Sequence, residues 1–325
     1  MAALPRCRYS HALPLPTVGR VSTPTIGLFL HNAAIQSDPI VAVRVARHAE
    51  ELGYDSLWAG EHVVVPSPRV PPSPMEPDEP ILDPLVLLAH LAAHTSQVRL
   101  GTGVIVLPQR NPLVLAKQLA SLDVVSAGRL VVGIGAGYLE PELSAIGVPM
   151  AERGARTDEY LAAMRALWTS DAPAFSGTHV RFAGVDAHPR PVQRPLPVVV
   201  GGRAAAAHRR AARDADGWYG YMHSPESTAT HVAALRKAAA DAGRDLPLHI
   251  SVTPERRLDA ATVRAYSDAG VDRLIVAPRP DVDADAMLRF LDRNAPTEIA
   301  GSVRPELPGP RAVSALSALN RRSSI

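Results

Sequence analysis

Apolar positions along this chain follow two alternating periods. Residues 99–138 read RLGTGVIVLPQRNPLVLAKQLASLDVVSAGRLVVGIGAGY. Two Gly-interrupted apolar runs, 100–107 and 130–134, flank a segment in which Leu115, Leu119 and Leu122 recur at helical spacing. The pattern predicts strand, helix, strand. Asn111 caps the helix with Pro112 at its first position, and Gly128 supplies a left-handed cap at its end. Strands apolar on both faces must be covered on both sides, which is the condition of a parallel βαβ unit.

The unit repeats. Predicted strands fall at 25–30, 56–62, 100–107, 130–134, 197–201, 218–221, 248–252 and 273–277. Asx-Pro pairs at Asp38, Asp83 and Asn111 open helices, as does the run from Glu152 to Trp168, and further helices are expected at 204–213, 225–241, 259–268 and 283–294. Leu52-Gly53, Ala127-Gly128, Asp216-Gly217, Ala242-Gly243 and Ala269-Gly270 each close a helix and lead into the next apolar run. Eight consecutive units favour an α/β fold with a single closed (β/α)8 TIM barrel, because an eight-stranded parallel sheet closes without leaving edges.

Several segments fall outside the period. Residues 1–22 are expected to form a loose arm, 23–295 the barrel, and 296–325 a mobile tail. Residues 63–80, VVVPSPRVPPSPMEPDEP, form a loop too long for a plain connection and so a candidate rim or lid. Residues 172–196 interrupt the period between helix four and strand five, with Phe175, Val180 and Phe182 spaced as in a small hairpin.

Composition narrows the function. A formal charge of +2 with basic residues scattered along the chain argues against nucleic acid and for a small-molecule substrate. Cys7 is the single cysteine, so there is neither a disulfide nor a thiolate metal site. No apolar run approaches the ~18 residues of a membrane span, and the leader has no apolar core of a signal peptide, so the expected location is the cytoplasm.

In such barrels ligands bind at the carboxyl ends of the strands. There the sequence places His31, Asn32, Glu61, His62, Gln109, Arg110, Asn111, Gly135, Ala136, Gly137, Tyr138, Gly201, Gly202, Arg203, Tyr221, His223, Thr253, Pro278 and Arg279. Gly201-Gly202-Arg203 is the best anion site, since glycines let backbone N–H groups approach a phosphate beside a helix start and an arginine. A tight turn requiring positive φ is the alternative reading. Glu61 and His62 are adjacent on a predicted strand end, so only one, His62 by preference, should face the mouth. Histidine there suits proton transfer or hydrogen bonding to a heteroaromatic ligand. Gly133, Gly135 and Gly137 lack the spacing of a dinucleotide fingerprint and would instead either let a flat ring lie on bare backbone or ease barrel packing. HExxH, paired metal-spaced histidines and GxSxG are absent from the sequence, so metal binding and a serine nucleophile are not expected.

DSLWAGEHVVVP, the 99–138 stretch, PRPVQRPLP and VVVGGRAAAAHRRAARDADGWY resemble the luciferase-like monooxygenase superfamily, and within it the actinobacterial branch that uses the deazaflavin coenzyme F420. The resemblance spans residues 25–294. It implies a homodimeric TIM barrel with the cofactor ring at the carboxyl ends of the strands. By this likeness Glu61 and His62 form the acidic-His pair beside the ring, Gly103 and Val104 the strand-three backbone behind it, joined by a cis peptide. Ala136, Gly137 and Tyr138 match the loop after strand four, and Gly201, Gly202 and Arg203 the cofactor phosphate site. The implied activity is hydride transfer between F420 and a small organic substrate, with His62, Glu61 and Tyr138 catalytic and His31, Tyr221, His223 and Arg279 on the substrate side. An FMN-dependent monooxygenase or a non-catalytic flavin-binding homologue on the same barrel are the alternatives. Tyr138 stands where the family's sugar-phosphate dehydrogenases carry an acid, which argues against that activity.

Overall fold

The computed structural model describes residues 23–279 and 282–303. The arm 1–22 and the tail from 304 onward lie outside the described residues. The barrel strands are β1 (Thr25–Leu30), β2 (Ser56–Ala59), β3 (Arg99–Thr102) with its short continuation β4 (Ile105–Val106), and β5 (Leu130–Gly135). After a hairpin, β6 (Phe175–Ser176) and β7 (Arg181–Phe182), follow β8 (Val198–Gly201), β9 (Gly217–His223), β10 (His249–Pro254) and β11 (Arg273–Val276). Each barrel strand pairs in parallel with its neighbour in sequence, and the ring closes where β11 pairs with β1 through Thr25 opposite Arg273. This is the expected (β/α)8 barrel, and the hairpin sits in the expected insertion, with Phe175 opposite Phe182.

The helices are α1 (Pro39–Glu51), α2 (Pro84–Ala92), α3 (Pro112–Val125), α4 (Glu140–Ala145), α5 (Arg153–Thr169), α6 (Ala205–Asp214), α7 (Pro225–Asp241), α8 (Ala260–Asp268), α9 (Ala284–Arg293) and α10 (Pro296–Val303). Asp38, Asp83 and Asn111 each accept two backbone N–H bonds as N-caps of α1, α2 and α3, so the Asx-Pro signal acts through the mechanism read from sequence. Two helices were not expected. α4 interrupts the loop after β5, and α10 continues past Pro296, where Ile299 is buried.

Alternation along the strands divides the core. Leu28 and Leu30 of β1 pack outward under the helices, whereas Phe29 joins Trp58, Val131, Val199, Tyr219 and Ile275 inside the barrel. Trp58 stacks on Tyr219 with ring centroids 5.6 Å apart, and its Nε1–H donates to Ser56 Oγ at 2.8 Å. Burying each of these side chains stabilises the fold by about 1.5–3 kcal/mol. Under this plug, at the amino ends of the strands, Arg273 is fully buried and donates from Nε and Nη2 to the Asp55 carboxylate at 2.9 Å each. The barrel is thus filled from below, and a cavity opens toward the carboxyl ends of the strands.

Strand three differs from a continuous run over 100–107. It breaks between Thr102 and Ile105, where the Gly103–Val104 peptide is cis, as the resemblance implies. Strand two ends at Ala59, short of His62.

Candidate active site

A cavity of about 770 Å³ opens at the carboxyl ends of the strands. Thirteen of the positions singled out from sequence line it: His31, Asn32, Glu61, His62, Gly103, Val104, Gly137, Tyr138, Gly201, Gly202, Arg203, Tyr221 and His223. Ala136 and Arg279 are not among the lining residues, and Arg279 is exposed. Pro74, Met75, Glu79 and Ile81 bring the Pro-rich loop into the wall. Asn32 anchors that loop: fully buried, it donates to the carbonyls of Gly60 and Leu82 and accepts from Gly60 N–H.

Glu61 and His62 both face the cavity, contrary to the expected one-sided arrangement. The reason is that β2 has already ended, so the period-two alternation of a strand no longer applies to them. Their roles nevertheless separate. Glu61 is buried, accepts from Val106 N–H at 2.6 Å and from Arg110 Nε at 2.7 Å, and pairs through Arg110 with Asp83. Burial pushes the Glu61 carboxyl up, while Arg110 and the Val106 amide hold it down against that pressure. Its oxygens are committed to holding the β3–β4 break and the loop after it.

His62 is held differently. Its Nδ1 lies 2.9 Å from Glu142 Oε2, and the other oxygen of Glu142 accepts Val63 N–H at 2.7 Å. A carboxylate can only accept, so the proton between the pair sits on Nδ1. Among the described residues Nε2 has no hydrogen-bond partner, which leaves it available to a ligand. Tyr138 stands edge-on to the His62 ring at 6.0 Å, half exposed, its hydroxyl pKa raised first by burial and then by Glu142.

On the opposite side Phe29 contacts both His31 and Tyr221 at centroid distances of 5.5 Å. His31 Nε2–H donates to the Pro278 carbonyl at 2.7 Å, and burial lowers its pKa. Burial likewise pushes the Tyr221 hydroxyl up.

The glycines divide in function. Gly137 lies in the cavity wall at φ +82°, and Gly202 at φ +130° presents backbone where a Cβ would meet that of Ala207 at 2.9 Å. Gly133 and Gly135 follow the packing alternative and do not leave bare backbone for a ring. The missing Cβ of Gly133 makes room for the Thr102 carbonyl, and that of Gly135 for Val104, whose Cγ2 would lie 2.9 Å from it. Beside Gly202, helix α6 starts at Ala205 with no side-chain cap, and Arg203 donates to the Tyr221 carbonyl at 3.1 Å. Free backbone N–H groups, a helix start and a guanidinium therefore meet at one corner of the cavity.

Sequence reasoning missed Glu142, Phe29 and Tyr219, whereas Asn32 and Arg110 were among the strand-end positions it placed at the mouth. Glu142 had a readable signal, since Pro141 between Glu140 and Glu142 is a helix-start pattern. Phe29 and Tyr219 are ordinary-looking strand residues whose position depends on barrel closure. Among the described residues no cluster of His, Cys, Asp or Glu could hold a metal ion, and no helix is long and apolar enough to cross a membrane.

The chain is similar to known proteins over most of its length. The family model described as luciferase-like monooxygenase matches residues 23–299. An uncharacterized protein of Mycobacterium tuberculosis (strain ATCC 25618 / H37Rv) is 34% identical over 272 residues, covering 79% of this chain and 93% of that one. The FMNH(2)-dependent dimethylsulfone monooxygenase of Pseudomonas putida is 32% identical over 171 residues, 51% of this chain and 47% of that one. The F420-dependent glucose-6-phosphate dehydrogenase of Amycolatopsis mediterranei (strain U-32) is 30% identical over 190 residues, 57% of this chain and 54% of that one. Among solved structures, an F420-dependent secondary alcohol dehydrogenase in complex with an F420-acetone adduct superposes with a TM-score of 0.70 at 18% identity, over 87% of this chain and all of that one. Relatives in this family are thus named for F420 or for FMN.

Proposed function

We propose, from the premise that this chain belongs to the luciferase-like monooxygenase family, that it is an oxidoreductase moving hydride between coenzyme F420 and a small organic substrate. The observation that carries this reading is the pair His62–Glu142, which presents an unpartnered Nε2 to the cavity from a ring fixed by a buried carboxylate. The cavity fits a ring cofactor with a phosphate-bearing chain. Val104 and Gly137 offer a wall for the ring, and Gly201, Gly202 and Arg203 offer donors for the phosphate. When bound, the deazaflavin supplies a two-electron hydride donor or acceptor.

This chain's residues do the rest. Glu142 fixes the His62 ring and its tautomer, so that Nε2 accepts or, after protonation, returns the proton that accompanies hydride transfer. Glu61, tied to Arg110 and Val106, positions the backbone behind the ring and is a positioning residue, not a proton carrier. Tyr138 covers His62 at the mouth, and Phe29, Met75 and Ile81 exclude water. His31, Tyr221 and Glu79 supply polar atoms to orient a substrate hydroxyl or carbonyl.

An FMN-dependent monooxygenase is the second reading, favoured by the Pseudomonas putida relative. We further take the protein to act in the cytoplasm as a homodimer, a state supported by exposed Ile40, Val86 and Val114 in the first turns of α1, α2 and α3. Titrating the purified protein with F420 and FMN in parallel separates the readings. F420 binding followed by turnover on a panel of alcohols and carbonyl compounds is expected. Tight FMN binding without F420 binding overturns it.

A further inference from the structure

Behind the anion corner, three histidines from three elements converge on one tryptophan. His223 ends β9, His231 lies on α7 and His208 on α6. The His223 and His231 rings are 4.5 Å apart at their centroids, and His231 Nδ1 lies 3.2 Å from His208 Nε2. Trp218 contacts all three rings, at 5.7 Å, 5.4 Å and 6.1 Å, and its Nε1–H donates to the Gly202 carbonyl at 2.8 Å. The cluster is therefore bonded to the same peptide that shapes the anion corner.

His223 connects the cluster to the cavity. It lines the same wall as Gly202 and Arg203 and is only 3% exposed. Its Nδ1 pairs with Ser227 Oγ at 2.9 Å, whereas Nε2 is buried without a hydrogen-bond partner. A buried ring nitrogen in that condition costs free energy unless a ligand satisfies it. The groups around it are uniformly neutral or basic. They are His208 from α6, His231 and Ser227 from α7, Arg203 from the β8–α6 loop and Trp218 from β9. Tyr266 of α8 and the Glu255 amide reach only the His223 carbonyl. Among the described residues no carboxylate is bonded to any of the three rings. Burial, with the charge of Arg203 and the neighbouring histidines, holds His223 down to about 4 and depresses His231 and His208, so the cluster is uncharged at neutral pH.

We propose that the His208–His223–His231 cluster makes anion binding at the Gly202–Arg203 corner proton-coupled, the cluster taking up a proton through His223 Nε2 as an oxyanion of the phosphate or sulfate class docks. The inference rests on reading this corner as the cofactor's anion site and assigns His223 to it instead of to the substrate. An oxyanion there pairs with Arg203, cancelling the repulsion that disfavours a charged histidine. It also gives Nε2–H the acceptor it lacks. Anion and proton then stabilise each other by the same factor, so affinity rises as pH falls.

Inorganic sulfate is the probe, since it does not itself titrate across the range used. Calorimetry in buffers of different ionisation enthalpy, between about pH 5.5 and 8, reads the proton uptake directly. We expect sulfate affinity to rise by about tenfold toward the acid end, which from a free His223 midpoint of about 4 requires that midpoint to rise by about two units or more when the anion is bound. His223→Gln should abolish the uptake while Arg203 retains weak binding. In the unmodified protein, ring 13Cε1 resonances of labelled histidine should show the same midpoint moving with sulfate, a readout independent of how the variant folds. Affinity flat with pH, uptake persisting in folded His223→Gln, or absence of sulfate binding each overturns the proposal. F420 or FMN binding without proton uptake removes this inference and leaves the oxidoreductase reading. Sulfate-linked uptake in a protein that binds neither cofactor does the reverse.

Discussion

His62 and Glu142, 80 residues apart in sequence, meet through Nδ1 and Oε2 at 2.9 Å, with the Glu142 side chain almost wholly buried and that of His62 14% exposed. The pair joins the end of strand two to a helix inserted after β5. It turns a histidine at a cavity wall into one with a defined tautomer and a defined free nitrogen.

If His62 moves a proton, His62→Ala should lower kcat by about 10²-fold or more while cofactor affinity changes by less than about threefold. Glu142→Gln should lose much of the same rate, and the double variant should be no slower than His62→Ala, because both changes remove one device. Steady-state kinetics with parallel binding titrations checks this. Equal losses in kcat and affinity would make His62 a binding residue only.

For the anion corner, Arg203→Ala is the clean variant. It should weaken a phosphate-bearing cofactor by about tenfold with an unchanged melting temperature, since Arg203 is exposed. Gly202→Val is not clean. Its φ of +130° and the Ala207 Cβ at 2.9 Å from an added Cβ mean that it should lower both affinity and melting temperature. Unchanged cofactor affinity in Arg203→Ala would move the phosphate elsewhere.

Arg110→Met leaves the Glu61 carboxylate buried without its cation and should destabilise the fold by about 3–5 kcal/mol. Burial already raises Glu61, and losing Arg110 raises it further. A raised folded pKa favours the folded state below the unfolded value and is lost as pH rises. The deficit should therefore be smallest in acid and grow through the ordinary carboxylate range near ~4.3 and above. Urea denaturation at several pH values measures it, and a deficit independent of pH would show that Glu61 is not the group involved.

Asp55 behaves oppositely. Burial would raise its carboxyl, but Arg273, Ser56 and Arg99 outweigh that and hold it below the ordinary range. The stabilisation is present above the unfolded value near ~3.9 and is lost as pH falls through the folded one. Asp55→Asn should cost about 3 kcal/mol at neutral pH, because Arg273 stays fully buried without its anion. The acid limb of the variant's stability profile should also be flatter than the parent's. Acid denaturation curves for both proteins test this, and superimposable limbs would remove Asp55 from the account.

Much of the architecture was legible because it is written in local terms. Asp38, Asp83 and Asn111 cap helices with their own side chains, apolar strands must be covered, and eight such units close into a ring without any long-range information beyond their number. Eleven cavity positions followed from the same logic, since residues just past a strand end in a parallel barrel lie at one rim, and Gly103 and Val104 came from the resemblance. The resemblance added the cis peptide at Gly103, which no periodicity encodes.

Other features were decided only by the tertiary structure. Glu61 and His62 share a face because β2 stops at Ala59, and the stop depends on pairing with β1 and β3 rather than on residues 60–62. Gly133 and Gly135 serve packing because Thr102 and Val104 arrive from the neighbouring strand to fill their missing side chains. His208, His223 and His231 lie on three separate elements and become a cluster only when α6 and α7 pack side by side against β9. The sequence by itself therefore determined most of the elements, their order and the end of the barrel at which the cavity opens. Which side chains touch, which carboxylates are spent on arginines, and which histidine nitrogens remain free depend on distances between residues far apart in the chain, and those exist only once the ring has closed.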